Sequence, residues 1–198
     1  MQRFHPYVDR MTEVPSTRDR LVTAATRLFR QRGYDGTGLS EILAEAGVPK
    51  GSLYHHFPEG KADLACAAAD WTASEIVRVI DDSFRGAPDW RHGVTTFCYK
   101  MAKLFDILNS ADACPIFGLM FDGPDQTRFR AHAEAAFGRI IAGAARHAEA
   151  LGFAPATAED MAETFIIGFQ GGWTLARVRR SSDVLRRLPG RLYGPAQS

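Results

Sequence analysis

Residues 47–57 combine side chains that can bind DNA with few that can enter a protein core. The segment carries an ammonium, a hydroxyl, a phenol and an imidazole, at Lys50, Ser52, Tyr54 and His55. These groups can hydrogen-bond base edges in the major groove and the phosphates beside it. Leu53 and Phe57 are four residues apart and therefore share one face of a helix. The pattern predicts a short helix that buries its apolar face and reads DNA with its polar face.

Two further helices are predicted to position this segment. Apolar residues at helical spacing predict a helix over residues 39–46, Gly47 permits a tight turn, and Pro49 favours the first turn of the next helix. Upstream, Ser16 is a suitable N-cap for a helix that Gly33 ends. Two short helices joined so tightly must cross steeply, which is the helix-turn-helix arrangement.

The order and spacing of several motifs in residues 17–64 resemble the DNA-binding domain of the TetR/AcrR family of bacterial transcriptional regulators. The matching positions are Phe29-Arg30-Gln31-Arg32-Gly33-Tyr34, Thr37, Ile42, Ala46-Gly47-Val48, Gly51-Ser52-Leu53-Tyr54-His55-His56-Phe57 and Pro58-Glu59-Gly60-Lys61. The Pro-Glu-Gly-Lys ending resembles the LmrA-like branch of that family, and the Cys114-Pro115 pair extends this resemblance more loosely.

The resemblance implies roles for individual residues in DNA binding. Thr37 would bind a phosphate or cap the second helix. The residues near base edges would be Lys50, Gly51, Ser52 and His55. The residues that contact phosphates would be Tyr54, His56 and Lys61. Two positions depart from the family pattern: Gly38 removes a common cap residue, and Leu43 replaces an Ala where two helices cross closely, so we expect a wider crossing or smaller neighbours.

Composition alone leaves the function open. The chain has 198 residues, is 45% hydrophobic and has a formal net charge of +1, so any basic surface must arise from local arrangement. No apolar run approaches the roughly 20 residues that span a bilayer, and the first residues lack the apolar centre of a signal peptide. We therefore expect a cytoplasmic protein with no membrane partner.

The sequence offers little support for catalysis, metal binding or a cofactor. It contains no phosphate-binding loop, nucleophile elbow or metal-spaced cluster, so we predict that the chain is not an enzyme and holds no cofactor. Adjacent residues such as His55 and His56 diverge on a helix, which disfavours a metal site there. The three cysteines, Cys66, Cys98 and Cys114, are favoured as buried small side chains, with a redox sensor as the alternative.

We predict an all-α fold of about nine helices in two domains. The predicted segments are a disordered arm at 1–16, a helix-turn-helix domain at 17–60, an effector-binding and dimerisation domain at 61–190 and a tail at 191–198. The alternative for the arm is that Arg3 and Arg10 reach along DNA, and either Met1 or Met11 could be the start. The helices predicted in the second domain span 61–84, 89–109, 115–121, 125–151, 158–180 and 183–188. Thr157 and Asp160 are predicted to cap the helix at 158.

Aromatic and methionine residues at helical spacing fill the second domain. Such stripes are usually core, but their number favours a pocket for an apolar or aromatic effector. The candidates are Trp71, Phe97, Met101, Phe105, Phe117, Met120, Phe121, Phe137 and Phe169, with His132 and Gln170 as polar groups. Glycines weaken a helix unless another backbone packs on them, which predicts a contact with a partner subunit. The residues predicted there are Gly168, Gly172, Trp173 and Leu175.

Together these features predict a homodimeric, ligand-responsive regulator of transcription. Two recognition helices must lie about 34 Å apart to read a palindromic operator, and the resemblance implies repression that a small effector relieves. The helix predicted at 61–84 begins beside the DNA-reading unit and is the natural element to transmit a change in the second domain. The alternative is a helical protein-interaction module that does not bind DNA.

Overall fold

The computed structural model describes residues 15–108 and 126–194, and these residues form helices, turns and loops with no strand. The helices are α1 Thr17–Arg32, α2 Leu39–Ala46, α3 Lys50–His56, α4 Lys61–Phe84, α5 Trp90–Ile107, α6 Gln126–Ala150, α7 Pro155–Arg179, α8 Asp183–Arg186 and α9 Leu188–Tyr193. The predicted all-α class is confirmed. Residues 1–14 of the arm predicted at 1–16, the predicted helix at 115–121 and Cys114 lie outside the described residues.

Local signals fix the ends of α1. The Ser16 hydroxyl accepts a hydrogen bond from the backbone N–H of Asp19 at 3.1 Å, which satisfies one of the donors that a helix start leaves free. Gly33 ends the helix with a φ of 73°, a conformation that favours glycine. The buried side chains of α1, including Leu21 and Phe29, pack over α2, α3 and α4.

Helix α4 is the element around which the others assemble, because it packs against α1, α5 and α6. Its last residue, Phe84, lies against Gly93 of α5, where a Cβ would fall 2.2 Å from the Phe84 ring. Only glycine allows this close approach. Since α4 begins directly after α3 and the Gly60 turn, a single rigid rod joins the DNA-reading unit to the rest of the chain.

Ion pairs between α4 and α6 show that these two helices run in the same direction. In order along α4, Asp63 pairs with Arg128, and Asp81 pairs with His147. Helix α7 returns in the opposite direction after the short loop at 151–154, and α5 runs alongside it. The starts of α4 and α6 and the ends of α5 and α7 therefore lie at one end of the second domain, next to α1–α3, which we call the proximal end.

Two features near the C-terminus differ from the sequence prediction. Helix α7 begins at Pro155 with Ala154 as its N-cap residue, so Thr157 is inside the helix and the predicted cap is wrong. Proline suits the first turn because the N–H that it lacks would have no helical partner there. Residues 188–193 form α9, in which Leu188 is buried, so the part of the predicted tail at 191–193 is helical.

The glycines of α7 accommodate a neighbour from the same chain. A Cβ at Gly168 would lie 2.9 Å from Leu192, and one at Gly172 would lie 3.2 Å from Leu188, both in α9. Trp173 is only 5% exposed. Gly172 and Trp173 are buried within the chain and Gly168 is half-buried, whereas Leu175 is exposed. The subunit contact predicted at these four residues stays a prediction.

Candidate nucleic-acid interface

The polar and apolar side chains of α3 are separated between its two faces. Leu53 is completely buried and Phe57, just after the helix, is also buried, while Tyr54 is 46% exposed. The residues exposed with Tyr54 are Lys50, Gly51 and His55, and the half-buried ones are Ser52 and His56. The helix thus presents an ammonium, a phenol and an imidazole on a surface that a rigid apolar contact holds in place. Such a set of groups can contact base edges and phosphates.

Arg20 of α1 fixes the turn that presents α3. Its Nη2 donates hydrogen bonds to the carbonyl oxygens of Ala46 at 2.5 Å and Gly47 at 2.8 Å. Both are carbonyls that the end of α2 leaves without helical partners. Gly47 has a φ of 60°, so glycine and the guanidinium together define the turn. Arg20 is not among the residues that the sequence analysis singled out.

Ion pairs between α1 and α2 reinforce this geometry. Arg27 pairs with Glu45, and Arg32 pairs with Glu41 at 2.5 Å. The Glu41 carboxylate also accepts a hydrogen bond from the backbone N–H of Gly38 at 2.9 Å. That hydrogen bond, followed by the Arg32 guanidinium, holds the pKa of Glu41 below its usual range. Glu41 therefore supplies a cap contact at the start of α2, where Gly38 has no side chain.

Thr37 does not cap α2, which was one of the two roles that the family resemblance implies. It is buried, and its hydroxyl donates a hydrogen bond to the carbonyl oxygen of Gly33 at 2.8 Å. The N-cap residue of α2 is Gly38, so the predicted capping role is wrong. The alternative role that the resemblance implies, a phosphate contact, stays a prediction. Thr37 instead ties the loop between α1 and α2 to the end of α1.

Leu43 does not separate α2 from its neighbours. Its side chain is half-buried at the edge of the core, while Ile42 and Leu53 are completely buried between the helices. The bulk that replaces a common alanine is therefore accommodated at the margin of the crossing.

Lys61 and Tyr34 form the joint between the DNA-reading unit and α4. The Lys61 Nζ lies 4.2 Å from the centroid of the Tyr34 ring, a cation–π contact, and burial lowers the pKa of this lysine. On its other side, the Tyr34 ring meets the edge of Phe129 of α6, with centroids 5.2 Å apart. Lys61 is half-buried, so its predicted phosphate contact stays a prediction.

Arg128 adds a polar connection beside this aromatic one. From the start of α6, its guanidinium bonds the carboxylates of Glu59 and Asp63. Burial raises the pKa of Asp63, but the hydrogen bonds from the Glu59 backbone N–H and from Arg128 outweigh it and hold that pKa below its usual range. The turn that follows α3, the first turn of α4 and the first turn of α6 are therefore bound together.

The predicted effector residues fall into three groups. Phe97, Phe105, Phe169 and Met101 are buried, and the rings of Phe97 and Phe169 meet edge to face with centroids 5.0 Å apart. The half-buried residues are Trp71, His132, Phe137 and Gln170. The residues outside the described part of the chain are Phe117, Met120 and Phe121.

Trp173 packs with the buried aromatic residues of α5 and α7 and forms an aromatic cluster with them. Its ring packs against Phe105 and Phe169, with centroids 5.5 Å and 5.9 Å away. Its indole Nε1 is buried and has no hydrogen-bond partner among the residues that the structure describes. Most buried donors in proteins are paired, and an unpaired one is costly. The aromatic cluster thus contains one polar group able to bind an acceptor.

Titratable groups in the second domain serve structural contacts. The His132 Nε2 lies 3.0 Å from an Asp70 carboxylate oxygen, which joins α6 to α4. Cys66 and Cys98 are buried free thiols, and burial raises the pKa of Cys98 to about 12. Such thiols stay protonated, which fits buried small side chains. Among the described residues, no group of three His, Cys, Asp or Glu side chains could hold a metal ion.

An open groove of about 390 Å³ lies between α6 and α7 on the outside of the second domain. Its lining includes Gly138, Ala142 and Ile141 together with the charged Arg146 and Glu163. On α7, Ile167 is 66% exposed and Val178 is 77% exposed. Large aliphatic side chains left this open on one helix are typical of surfaces that contact another protein.

Two family profiles match the sequence. Residues 21–68 match the profile described as "Bacterial regulatory proteins, tetR family", and residues 91–189 match "Transcriptional regulator LmrA/YxaF-like, C-terminal domain". The sequence is 38% identical over 106 residues to the regulator YxaF of Bacillus subtilis, a match that covers 54% of this chain and 56% of that protein. The match therefore spans little more than half the length of YxaF.

A longer match is to the regulator Rv0196 of Mycobacterium tuberculosis, which is 32% identical over 172 residues, covering 82% of this chain and 85% of that protein. Among solved structures, a TetR regulatory protein from Rhodobacter sphaeroides superposes with a TM-score of 0.72 at 28% identity, covering 88% of this chain and 95% of the other. In the described part of the chain, no helix has the length and apolar character needed to cross a membrane.

Proposed function

The chain belongs to the TetR family of bacterial regulatory proteins, and from this premise we propose that it is a homodimeric repressor that binds palindromic operator DNA and is released by a small aromatic effector. As a member of this family it is a transcriptional regulator with a DNA-binding helix-turn-helix domain, and not an enzyme. The observation that carries the proposal is the polar face of α3, which Arg20 holds in place through the Gly47 turn.

The proposed contacts with DNA are of two kinds, contacts with base edges and contacts with phosphates. Lys50 and His55 are exposed on α3 and supply donors for base edges, with Gly51 and Ser52 allowing close approach. Tyr54 and the partly exposed His56 are placed to hydrogen-bond phosphates. Base contacts set sequence preference and phosphate contacts set affinity, so the two groups have separable effects.

The proposed dimer uses the outer face of α6 and α7. Ile167 and Val178 are apolar and exposed, and Gly171 between them leaves open space. The neighbouring groove pairs a basic side chain, Arg146, with acidic ones such as Glu163, which suits contact with a second copy of the same surface. A palindromic operator requires two copies related by a twofold axis.

The proposed effector is flat, largely apolar and carries a hydrogen-bond acceptor. Support comes from the aromatic side chains of α5 and α7 and from the indole N–H of Trp173 among them, which no described residue accepts. An acceptor such as a carbonyl oxygen would satisfy that donor, while the rings supply apolar contact. The described aromatic cluster contains no charged side chain, which disfavours a strongly ionic effector.

The proposed route from effector to DNA runs through the start of α4. Arg128 binds both the turn after α3 and the first turn of α4, so a shift of α6 is carried to the DNA-reading unit. Effector binding would favour a state in which the two α3 helices no longer match the operator spacing. Repression would end when the DNA is released.

The proposed function is tested by selecting genomic fragments on the purified protein and titrating the recovered DNA at several salt concentrations. A dimer that binds a palindromic fragment with a steep negative salt dependence, and that is released by flat aromatic compounds, supports the proposal. Failure to retain any fragment in the absence of effector, with the protein folded, would contradict it and favour a protein-interaction module.

A further inference from the structure

The most basic stretch of this chain lies outside the helix-turn-helix domain. Residues 177–191 contain six arginines and a single acidic residue, Asp183, in a chain whose net charge is only +1. Arg186 is neutralised by Asp106 of α5, 2.7 Å away. Arg179 and Arg180, at the end of α7, are exposed, and within the described part of the chain neither side chain has an ion-pair partner.

These two arginines lie at the proximal end of the second domain. Helices α6 and α7 run in opposite directions and are joined by a short loop. Counted from this loop, Arg128 lies as many residues back along α6 as Arg177 lies forward along α7. The end of α7 therefore lies level with Arg128 along the axis of α6. Arg128 in turn pairs with Glu59, which follows α3 in the sequence. Arg179 and Arg180 consequently lie at the end of the second domain that is next to α1–α3.

The backbone conformation at Arg180 is also unusual. Arg180 is the only non-glycine residue in the described part of the chain with a positive φ, at 49°. It occupies the left-handed position that ends α7, with its N–H bonded to the Arg177 carbonyl at 3.1 Å and the Ser181 N–H bonded to Ala176 at 3.0 Å. Glycine or asparagine usually fills this position. An arginine there places a cation at the end of α7, where the helix dipole favours positive charge, and its side chain is exposed to solvent.

We propose that Arg179 and Arg180 form a second DNA contact, which binds the phosphates of the operator between its two half-sites. This inference rests on the proposed DNA-binding function. In a dimer formed through the exposed face of α7, the two ends of α7 lie near the twofold axis, between the two α3 helices. Four guanidinium groups would then face the centre of the operator, where their mutual repulsion is relieved by phosphate.

The test compares two double variants that remove the same charge. Arg179→Gln/Arg180→Asn removes the proposed contact, and Asn keeps the left-handed conformation accessible. Arg78→Gln/Arg85→Gln is the control, because these exposed side chains lie about 26 Å and 36 Å along α4 from Lys61, at a rise of about 1.5 Å per residue. The affinity of each dimer for the selected operator is measured between 50 and 200 mM salt, on DNA with natural or uncharged methylphosphonate linkages at its centre.

Losing both arginines of each subunit removes four phosphate contacts per dimer and should reduce the magnitude of the salt slope by about 3.6, because each contact contributes about 0.9. The affinity deficit of the first variant relative to wild type should then shrink about 150-fold across that salt range, and uncharged central linkages should weaken wild type but not this variant. Equal slopes for the two variants would overturn the second contact while leaving the proposed function intact. A wild-type protein that binds no DNA would overturn both.

Discussion

The guanidinium of Arg128 lies 2.5 Å from the carboxylate of Asp63, and this pair joins the first turn of α6 to the first turn of α4. Arg128 also bonds Glu59, in the turn that follows α3. The side chain therefore links the second domain to the DNA-reading unit at the point where α4 begins.

Replacing Arg128 by Gln should weaken the response to effector more than it weakens DNA binding. The rings of Tyr34 and Phe129 still join the two domains, so we expect DNA affinity without effector to stay within about threefold, while the coupling between the sites, typically about 1–3 kcal/mol, falls. The measurement is DNA affinity with and without effector. Arg130→Gln, on the exposed surface of α6, is the control, and an equal response in both variants would exclude this role for Arg128.

The Asp63 carboxylate should make a pH-dependent contribution to stability. Its pKa is lowered in the folded protein, so the stabilisation is present above the ordinary carboxyl pKa of about 4 and is lost as the pH falls through the folded value. We expect Asp63→Asn to reduce the free energy of unfolding by about 0.5–1 kcal/mol near pH 7, discounted for partial exposure, and by much less near pH 3. Urea titrations at both pH values measure this. Glu134→Gln, on the exposed face of α6, is the control. If its loss of unfolding free energy depends on pH in the same way, the effect does not come from the Asp63 carboxylate.

Gly47, before α3, and Gly51, within α3, should separate folding from DNA reading. Gly47→Ala places a Cβ 2.7 Å from Arg20 Nη2 at a φ of 60°, so we expect a loss of about 1–2 kcal/mol in unfolding free energy.

Gly51→Ala adds a methyl group that meets open space inside a helix. The free energy of unfolding should therefore hold or rise by up to about 1 kcal/mol. DNA affinity should nevertheless fall, because in the proposed complex the methyl group faces the bases. Thermal unfolding and DNA titration of both variants check this pair. A stable Gly51→Ala protein with normal affinity would remove Gly51 from the interface.

The helix positions could be predicted from the sequence because their signals are local. Ser16, Gly33 and Gly47 mark helix ends through their own backbone preferences, and the bounds of α1, α2 and α4 match the prediction. The two predictions at the start of α7 and in the tail were wrong because Pro155 and Pro189 were not recognised as residues of a first helical turn.

The contacts that position the candidate sites could not be predicted in the same way. Arg20 reaches the carbonyl of Ala46 across a separation of 26 residues, and no spacing rule distinguishes it from the exposed arginines of α1. Gly168 and Gly172 signalled a close neighbour correctly, but the sequence did not reveal that this neighbour is α9 of the same chain. Tertiary packing determines such contacts, and the spacing of residues in a single sequence does not predict which distant residues will pack together.

Trp173→Phe should lower effector affinity without a comparable loss of stability. Within residues 15–108 and 126–194 the indole N–H has no hydrogen-bond partner to lose, so we expect the free energy of unfolding to change by less than about 1.5 kcal/mol. Affinity for an aromatic carbonyl compound should fall about 2- to 10-fold, the effect of one hydrogen bond. Trp90→Phe is the matched control, because the Trp90 Nε1 donates to the Tyr193 hydroxyl at 2.9 Å. That variant should lose stability and keep effector affinity; the reverse pattern would place the effector elsewhere.

The role of α3 is tested most directly by measuring the affinity of Lys50→Gln and Tyr54→Phe for the selected operator and for operators with single base-pair changes. Loss of the Lys50 ammonium should change the ranking of these sequences, by about 5- to 100-fold at one position, because a good base contact discriminates by about 1–3 kcal/mol. Loss of the exposed Tyr54 hydroxyl should weaken binding to every sequence by a similar factor. Unchanged affinity and ranking in both variants, with the protein folded, would contradict the assignment of α3 as the DNA-reading helix.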